Sequence, residues 1–288
     1  MAANDDRDAL TGKPTTGHEW DGIKELNTPL PKWWAYVFYV TIAWALVYVV
    51  LYPAIPLWNS HSQGVLGWSM REEFADKQAA ARGRQDAHVT RILAASLEEI
   101  RADAQLLNFA LAGGRAAFAD NCAPCHGGGG AGRTAFPVLA DDDWIWGGTL
   151  EAIETSIRHG IRNERAESRQ SVMPAFGADG SLTKEQIADV TAYVLSLSGG
   201  ATDEAAKRGQ AVYKENCVAC HGENGKGVAE LGGPNLADAI WLYGGKTEQV
   251  AAQIHKPRQG VMPGWDGRLD PATLKMLAVY VHALGGGK

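Results

Sequence analysis

Two short stretches hold the residue types most able to do chemistry: Cys122-Ala-Pro-Cys125-His126 and Cys217-Val-Ala-Cys220-His221. C-x-x-C-H is the attachment signature of c-type haem. Two thiols one helical turn apart reach the two vinyl groups of one porphyrin and form thioethers. The histidine that follows falls on the iron side and becomes an axial ligand. A bare C-x-x-C also serves as a zinc half-site or a redox pair. Here both pairs carry the histidine, and each is followed downstream by Met-Pro. Both also lie on the outer side of the membrane span read below, where free thiols would oxidise. These four are all the cysteines of the chain, too few and too patterned for a disulfide scaffold. The expectation is two covalently bound haem c groups, attached through Cys122 and Cys125 and through Cys217 and Cys220.

The sixth iron ligand is sought among five methionines. Met1 is the initiator, Met70 follows the apolar span, and Met276 sits in an amphipathic helix where core packing is the better reading. Met173 and Met262 remain, both in Val-Met-Pro. A thioether opposite histidine raises the reduction potential and closes the iron to outside ligands. The axial set is thus His126, His221, Met173 and Met262. Spacing leaves the pairing open. Pairing within each repeat (His126 with Met173, His221 with Met262) is preferred, and a crossed arrangement uses the same motifs equally well. An axial histidine usually donates its other N–H to a fixed acceptor; the Pro137 and Pro234 carbonyls are the candidates. Trp144 and Trp241, with Trp146 and Tyr243, either wall the haems and bond their propionates or simply pack the core. His159 and His255 occupy matching positions and are candidates for propionate binding or ligand replacement.

These residues sit in a duplicated frame. Gly114-Arg-Ala-Ala-Phe118 matches Gly209-Gln-Ala-Val-Tyr213, Trp144-Ile-Trp146-Gly-Gly matches Trp241-Leu-Tyr243-Gly-Gly, and Gln170-Ser-Val-Met173-Pro matches Gln259-Gly-Val-Met262-Pro. Tyr193-Val matches Tyr280-Val. The first copy carries a loop longer by about eight residues near Arg162 to Arg169. Helix signals agree: Thr183-Lys-Glu-Gln186 is a capping box, Asp270-Pro271 a cap followed by proline, and Gly199 and Gly285 suit helix ends. Gly114 and Gly209 let another backbone cross closely, and the natural partner is the last helix of the same copy. The predicted class is all-α: one N-terminal transmembrane helix, then two tandem cytochrome c-like domains.

The span is Trp33–Tyr52, uncharged and about 30 Å long as a helix, enough for a hydrocarbon core. Trp33, Trp34 and Tyr36 flank one end, and Tyr48, Tyr52 and Trp58 the other, as an aromatic belt requires. A cleavable signal fits poorly, since the run starts late, is long, and lacks a small-residue cleavage site. Lys13, Lys24 and Lys32 precede the span, and no Lys or Arg follows until Arg71, so the N-terminus is expected in the cytoplasm. The predicted layout is 1–32 cytoplasmic, 33–57 anchor, 58–108 helical connector, 109–199 first haem domain and 202–288 second.

With 288 residues, 45% of them hydrophobic, the chain supports about two folded domains, and global disorder is excluded. A net charge of -6 argues against nucleic acid as a partner. Residues 113–199 hold 7 basic and 11 acidic side chains, and residues 200–288 hold 10 and 9. The first domain is therefore expected to offer the more acidic surface to a basic donor.

The two repeats resemble class I cytochrome c in the Gly-x-x-x-aromatic helix, C-x-x-C-H, Met-Pro and the final tyrosine helix. The stretch Asp21-Gly-Ile-Lys-Glu25-Leu-Asn27-Thr-Pro29-Leu-Pro31-Lys-Trp33-Trp34, the span, and Tyr52-Pro53-Ala-Ile-Pro56 resemble the di-haem subunit family (CcoP or FixP) of cbb3-type cytochrome c oxidases. The resemblance covers nearly the whole chain. It implies a bacterial inner-membrane, single-pass subunit with periplasmic haem domains. Such a subunit is not an enzyme by itself. It accepts electrons from a donor cytochrome c and passes them to a mono-haem cytochrome c subunit, and so to a catalytic haem-copper subunit in aerobic respiration. Its partners are those two subunits, the donor and membrane lipid. Three other readings compete: a membrane-anchored shuttle for another respiratory complex, a di-haem peroxidase, and a haem-based sensor.

Overall fold

The computed structural model describes residues 6–285. Residues 1–5 of the expected cytoplasmic segment and 286–288 of the second repeat lie outside the described residues. The chain divides into two compact units, residues 1–84 and 85–288.

In the first unit, β1 (Thr15–Trp20) and β2 (Ile23–Leu26) form an antiparallel hairpin closed by the Trp20–Ile23 pair. Asp21 and Gly22 both take positive φ, the requirement of a tight two-residue turn. Helix α1 (Lys32–Leu51) begins after Pro31 and has no buried residue. It is long and apolar enough to cross a membrane, with a mean hydropathy of 1.9. Its last carbonyls are not left bare. Tyr52 N–H donates to Tyr48, and the returning chain supplies Val65 N–H to Val50 and Leu66 N–H to Leu51. That return needs Gly64, whose φ is +70° and whose Cβ would strike the Leu51 carbonyl. Helix α2 (Met70–Ala94) contains the unit boundary.

The second unit continues with α3 (Leu97–Ala102), started by a Ser96–Glu99 capping box, and α4 (Ala104–Asn121), capped by Asp103. Helix α4, which opens the first repeat, starts at Ala104. The short α5 (Ala123–His126) holds the first C-x-x-C-H motif. Then follow α6 (Leu150–His159), α7 (Lys184–Leu197) and α8 (Glu204–Asn216). After them come α9 (Val218–His221) with the second motif, α10 (Thr247–His255) and α11 (Pro271–Leu284). The capping box at Thr183 and the Asp270–Pro271 start are formed as expected.

These helices make two hydrophobic cores, and each draws on both repeats. The first joins Ile92, Leu97 and Ile100 to Leu106 and Phe118 of α4, Leu150 and Ile153 of α6, and Leu274, Leu277 and Val281 of α11. The second joins Ile187, Val190 and Val194 of α7 to Tyr213 of α8 and to Val250 and Ile254 of α10. The close crossings at glycine exist, but with the opposite partner to the one expected. A Cβ on Gly114 would meet Met276 O and Tyr280 of α11; one on Gly209 would meet Asp189 O and Val190 of α7. The repeats have exchanged their last helices. The physical reason lies in the connection: α7 ends at Leu197 and α8 starts at Glu204, and so short a link makes the two helices antiparallel neighbours. Side chains agree with the link: Arg208 of α8 pairs with Asp189 of α7, while Gly113 of α4, at the matching position, receives Met276 of α11.

Candidate haem-binding sites

Both C-x-x-C-H motifs fold the same way. Cys122 caps α5 and its carbonyl accepts the N–H groups of Cys125 (3.1 Å) and His126 (2.9 Å). Cys217 does the same for Cys220 and His221 of α9, at 3.2 and 3.0 Å. The chain then turns through Gly127 (φ 77°) and Gly222 (φ 75°), and the histidine carbonyls accept from Gly132 and Gly227. Gly233 has to be a glycine, because any Cβ there would collide with the Cys220 carbonyl.

The histidine rings are held from behind. His126 Nδ1 lies 3.1 Å from Pro137 O and His221 Nδ1 3.0 Å from Pro234 O. A carbonyl only accepts, so Nδ1 carries the hydrogen and Nε2 keeps its lone pair. Burial lowers both histidine pKa values against the opposing pull of the proline carbonyls, which keeps the rings neutral at physiological pH. Burial, with some help from the neighbouring cysteine, pushes Cys122 and Cys217 up to about 11, so both are neutral thiols. All four cysteines are unpaired. Among the described residues no group of three or more His, Cys, Asp or Glu converges as a bare-metal site.

Each motif shares a core with one Val-Met-Pro methionine. Cys122 and Ala123 pack in the first core with Leu139, Trp144 and Met262; Cys217 and Val218 pack in the second with Leu236, Trp241 and Met173. The grouping follows the exchanged helices and runs opposite to the preferred within-repeat pairing. Met262 is drawn to the first core by a two-bond bridge with Ile161, N to O in each direction, at 2.9 and 3.0 Å. Met276 is a buried member of the first core, as its helix position implied.

The tryptophans sit against paired glycines: Gly148 lies on the Trp144 ring and Gly245 on the Trp241 ring. Two arginines stack beside them, Arg169 over Trp146 (5.3 Å) and Arg258 over Tyr243 (4.7 Å). Sequence reasoning passed over these arginines, yet the signal was present. Arg169-Gln170 and Arg258-Gln259 precede the two Val-Met-Pro motifs identically. Trp144 Nε1 and Arg169 Nε are buried with no hydrogen-bond partner. Two orphaned donors around one Trp144–Trp146 turn suit an acceptor-only anion such as a porphyrin propionate. With the thiols one turn apart and the Nε2 atoms free, the residues present fit haem c. His159 and His255 end α6 and α10. The His255 ring lies against Gly177, and its carbonyl accepts from Gly177 and Ala178.

Exchanged helices around C-x-x-C-H turns, behind an apolar N-terminal helix, define a membrane-anchored protein with two cytochrome c domains. Comparison with known proteins makes this specific. The family model for the N-terminal domain of cytochrome oxidase-cbb3, FixP, matches residues 12–59. That for cytochrome c oxidase, cbb3-type, subunit III matches residues 109–194 and 204–281. A CcoP subunit of Azospirillum brasilense is 53% identical over 99% of this chain and 100% of its own length. A FixP subunit of Bradyrhizobium diazoefficiens is 50% identical over all of both. A CcoP subunit of Cereibacter sphaeroides is 48% identical over 96% of each. The chain belongs to the CcoP/FixP family of cbb3-type cytochrome c oxidase subunits. It is a haem-binding component of respiratory electron transport.

Proposed function

We propose that this chain is the non-catalytic electron-transfer subunit of its oxidase, carrying two covalently attached haem c groups with crossed axial ligands. Cys122 and Cys125 hold one porphyrin, with His126 and Met262 as its iron ligands. Cys217 and Cys220 hold the other, with His221 and Met173. Haem c supplies a one-electron couple whose potential a methionine ligand raises. The observation that carries this reading is the sorting of the first cysteine of one C-x-x-C-H motif and one Val-Met-Pro methionine into each core.

The chain's own residues then do three things. The Pro137 and Pro234 carbonyls hold each imidazole through Nδ1–H, which would leave Nε2 to bind the iron. The apolar cores exclude water and, with a sulfur on the sixth position, leave no vacancy for oxygen or peroxide. Trp144 Nε1 and Arg169 Nε take up propionate charge at the first site. Outside, α1 anchors the chain in the bacterial inner membrane with its N-terminus in the cytoplasm and the haem domains in the periplasm, the orientation its lysines favour. Electrons arrive from a donor cytochrome c and leave toward the mono-haem and catalytic haem-copper subunits. Asp141 and Asp143 lie beside Asp238 of the other repeat. Burial, reinforced by the neighbouring carboxylates, raises the Asp141 and Asp238 pKa values. That negative patch suits a basic donor, with steering that weakens as salt rises.

The deciding experiment is a pyridine haemochrome assay combined with single methionine replacements. Two haems per chain are expected. Met262→Leu is expected to alter the spectrum of the group on Cys122 and Cys125, and Met173→Leu that of the group on Cys217 and Cys220. Fewer than two haems, or peroxide turnover by the unaltered protein, would overturn the proposal.

A further inference from the structure

The two methionine loops share a motif but are not held alike. The longer loop of the first repeat folds back between Gly160 and Arg169. Arg169 N–H donates to Gly160 O and Arg162 N–H to Arg169 O. Inside it, Asn163 N–H donates to the buried Ser168 hydroxyl, and Asn163 Oδ1 accepts from Arg165 N–H.

From this frame two side chains reach the Met262 segment. Asn163 Nδ2 donates to Met262 O at 2.9 Å while also holding His159 O at 2.8 Å. Arg162 Nε donates to Gly260 O at 2.8 Å. Arg165 adds a bond to Asp266 O further along, at 2.8 Å. With the Ile161 bridge, the backbone is tied on both sides of Met262 and at Met262 itself. Arg162 sits at φ 52°, a conformation costly for a side chain with a Cβ, and so the fold tolerates strain where this tie is made. Gly160 is the hinge that permits it. Its φ is +72°, and a Cβ there would strike both Asn163 Nδ2 and Met262 O.

The second repeat has no such loop, and Lys256 occupies the position of Gly160. Among the described hydrogen bonds, the Met173 segment has the exposed Gln259 Nε2 on the Met173 carbonyl at 3.2 Å, one long bond from Arg162 Nη1 to Ser171 O at 3.4 Å, and, further along, Gly177 and Ala178 N–H on His255 O. Access to the two loops is alike, since Val172 is 69% exposed and Val261 63%. What differs is how firmly each loop is fastened.

We infer that Arg162 and Asn163 are positioning residues that fasten the Met262 sulfur, and that Met173 is the ligand more readily displaced. The inference rests on both methionines being iron ligands, as proposed above, and not on which iron each one binds. A ligand loop must swing away before an outside molecule can take its place. Each additional hydrogen bond that has to break makes that opening rarer, about tenfold for one well-made bond.

The test uses the full haem-loaded chain with methyl-labelled methionine, followed by NMR while imidazole is added to the oxidised protein. Iron-bound methionines give methyl signals shifted far outside the ordinary range, assigned with Met173→Leu and Met262→Leu. The Met173 signal is expected to disappear at about tenfold lower imidazole than the Met262 signal. In the double variant R162Q and N163A the gap is expected to close, with the Met262 midpoint moving much further than that of Met173, whose segment loses only the long Arg162 bond to Ser171 O. If the native chain loses both signals together, or loses Met262 first, the inference fails. A gap that persists in a folded double variant overturns it as well. Absence of any shifted methyl signal would instead overturn the axial-ligand reading, and this inference with it.

Discussion

The two cores of the second unit are built from the same repeated parts, yet they differ in their borders. The first is flanked by Ile92 of α2 and Leu97 and Ile100 of α3, while the second draws on α7, α8 and α10 with Phe176 and Leu182 of the segment before α7. Lys275 of α11 extends the difference. Its ammonium donates to three carbonyls at the C-terminal end of α2, Ile92, Leu93 and Ala95, at 3.3, 3.0 and 2.6 Å. The matching residue of α7 is Ala188. The lesson is that duplication supplies two equivalent sites, and the added segments then make them unequal. The first is braced by α2, α3 and the longer loop. The second keeps the plain form.

The largest effect is expected from Gly114→Val and Gly209→Val, which ask which helices cross. Each adds a side chain against backbone that cannot withdraw, Met276 O in one case and Asp189 O in the other. Each is expected to cost about 3 kcal/mol or more in denaturant unfolding. Hydrogen exchange should show damage at α11 for the first and α7 for the second. Damage at the other helix would break the exchanged arrangement.

Next is Lys275→Met, which removes charge-assisted bonds made only by the first core. The expected loss is about 2 kcal/mol, with early loss of protection at the end of α2. No loss would mean that the brace is idle.

Double-mutant cycles give a smaller but sharper reading. Phe118 and Tyr280 have ring centroids 5.5 Å apart, and Tyr193 and Tyr213 5.1 Å. Both pairs are expected to couple by about 1 kcal/mol. Phe118 with Tyr193, and Tyr213 with Tyr280, should be additive to within about 0.5 kcal/mol.

The smallest effect lies where the repeats meet, at Asp238. Burial, with Asp143 next in importance, raises its folded pKa above the unfolded value. A carboxyl so placed favours the folded state in acid and loses that advantage as pH rises through the folded pKa. Asp238→Asn keeps the acceptor for Ile240 N–H and removes the charge. It is expected to stabilise the protein by up to about 0.5 kcal/mol at pH 7, with no difference below about pH 4. The opposite pH trend would show that the carboxylates do not repel one another.

Much of this was legible in the sequence, because local rules dominate where it was. The apolar run, the caps at Thr183 and Asp270 and the repeat itself depend on neighbouring residues, and these elements form as read. The need for glycine at 114 and 209 was also legible, since a close crossing demands it whichever helix arrives. The identity of that helix was not. Both tyrosine helices present an aromatic and a close-crossing face, so the apolar pattern alone is ambiguous; the short α7–α8 link, the Arg208–Asp189 pair and the seating of Met276 on Gly113 decide between them. The methionine grouping was hidden for the same reason. The bracing by Arg162 and Asn163 depends on a long loop whose side chains cap carbonyls about a hundred residues away, which periodicity does not report. The Arg169 and Arg258 stacking was within reach, had the repeat been followed one residue further upstream.

Helix exchange also governs how such a chain matures. The compartment around the first attachment motif has no closing wall until α11 has been made, and α8 meets its wall only in a segment translated before it. A product truncated after the first repeat is therefore not a smaller working version. It displays bare apolar surface on α4 and α7 alike, the kind of surface that proteases and chaperones seize. The two halves are therefore obliged to fold together.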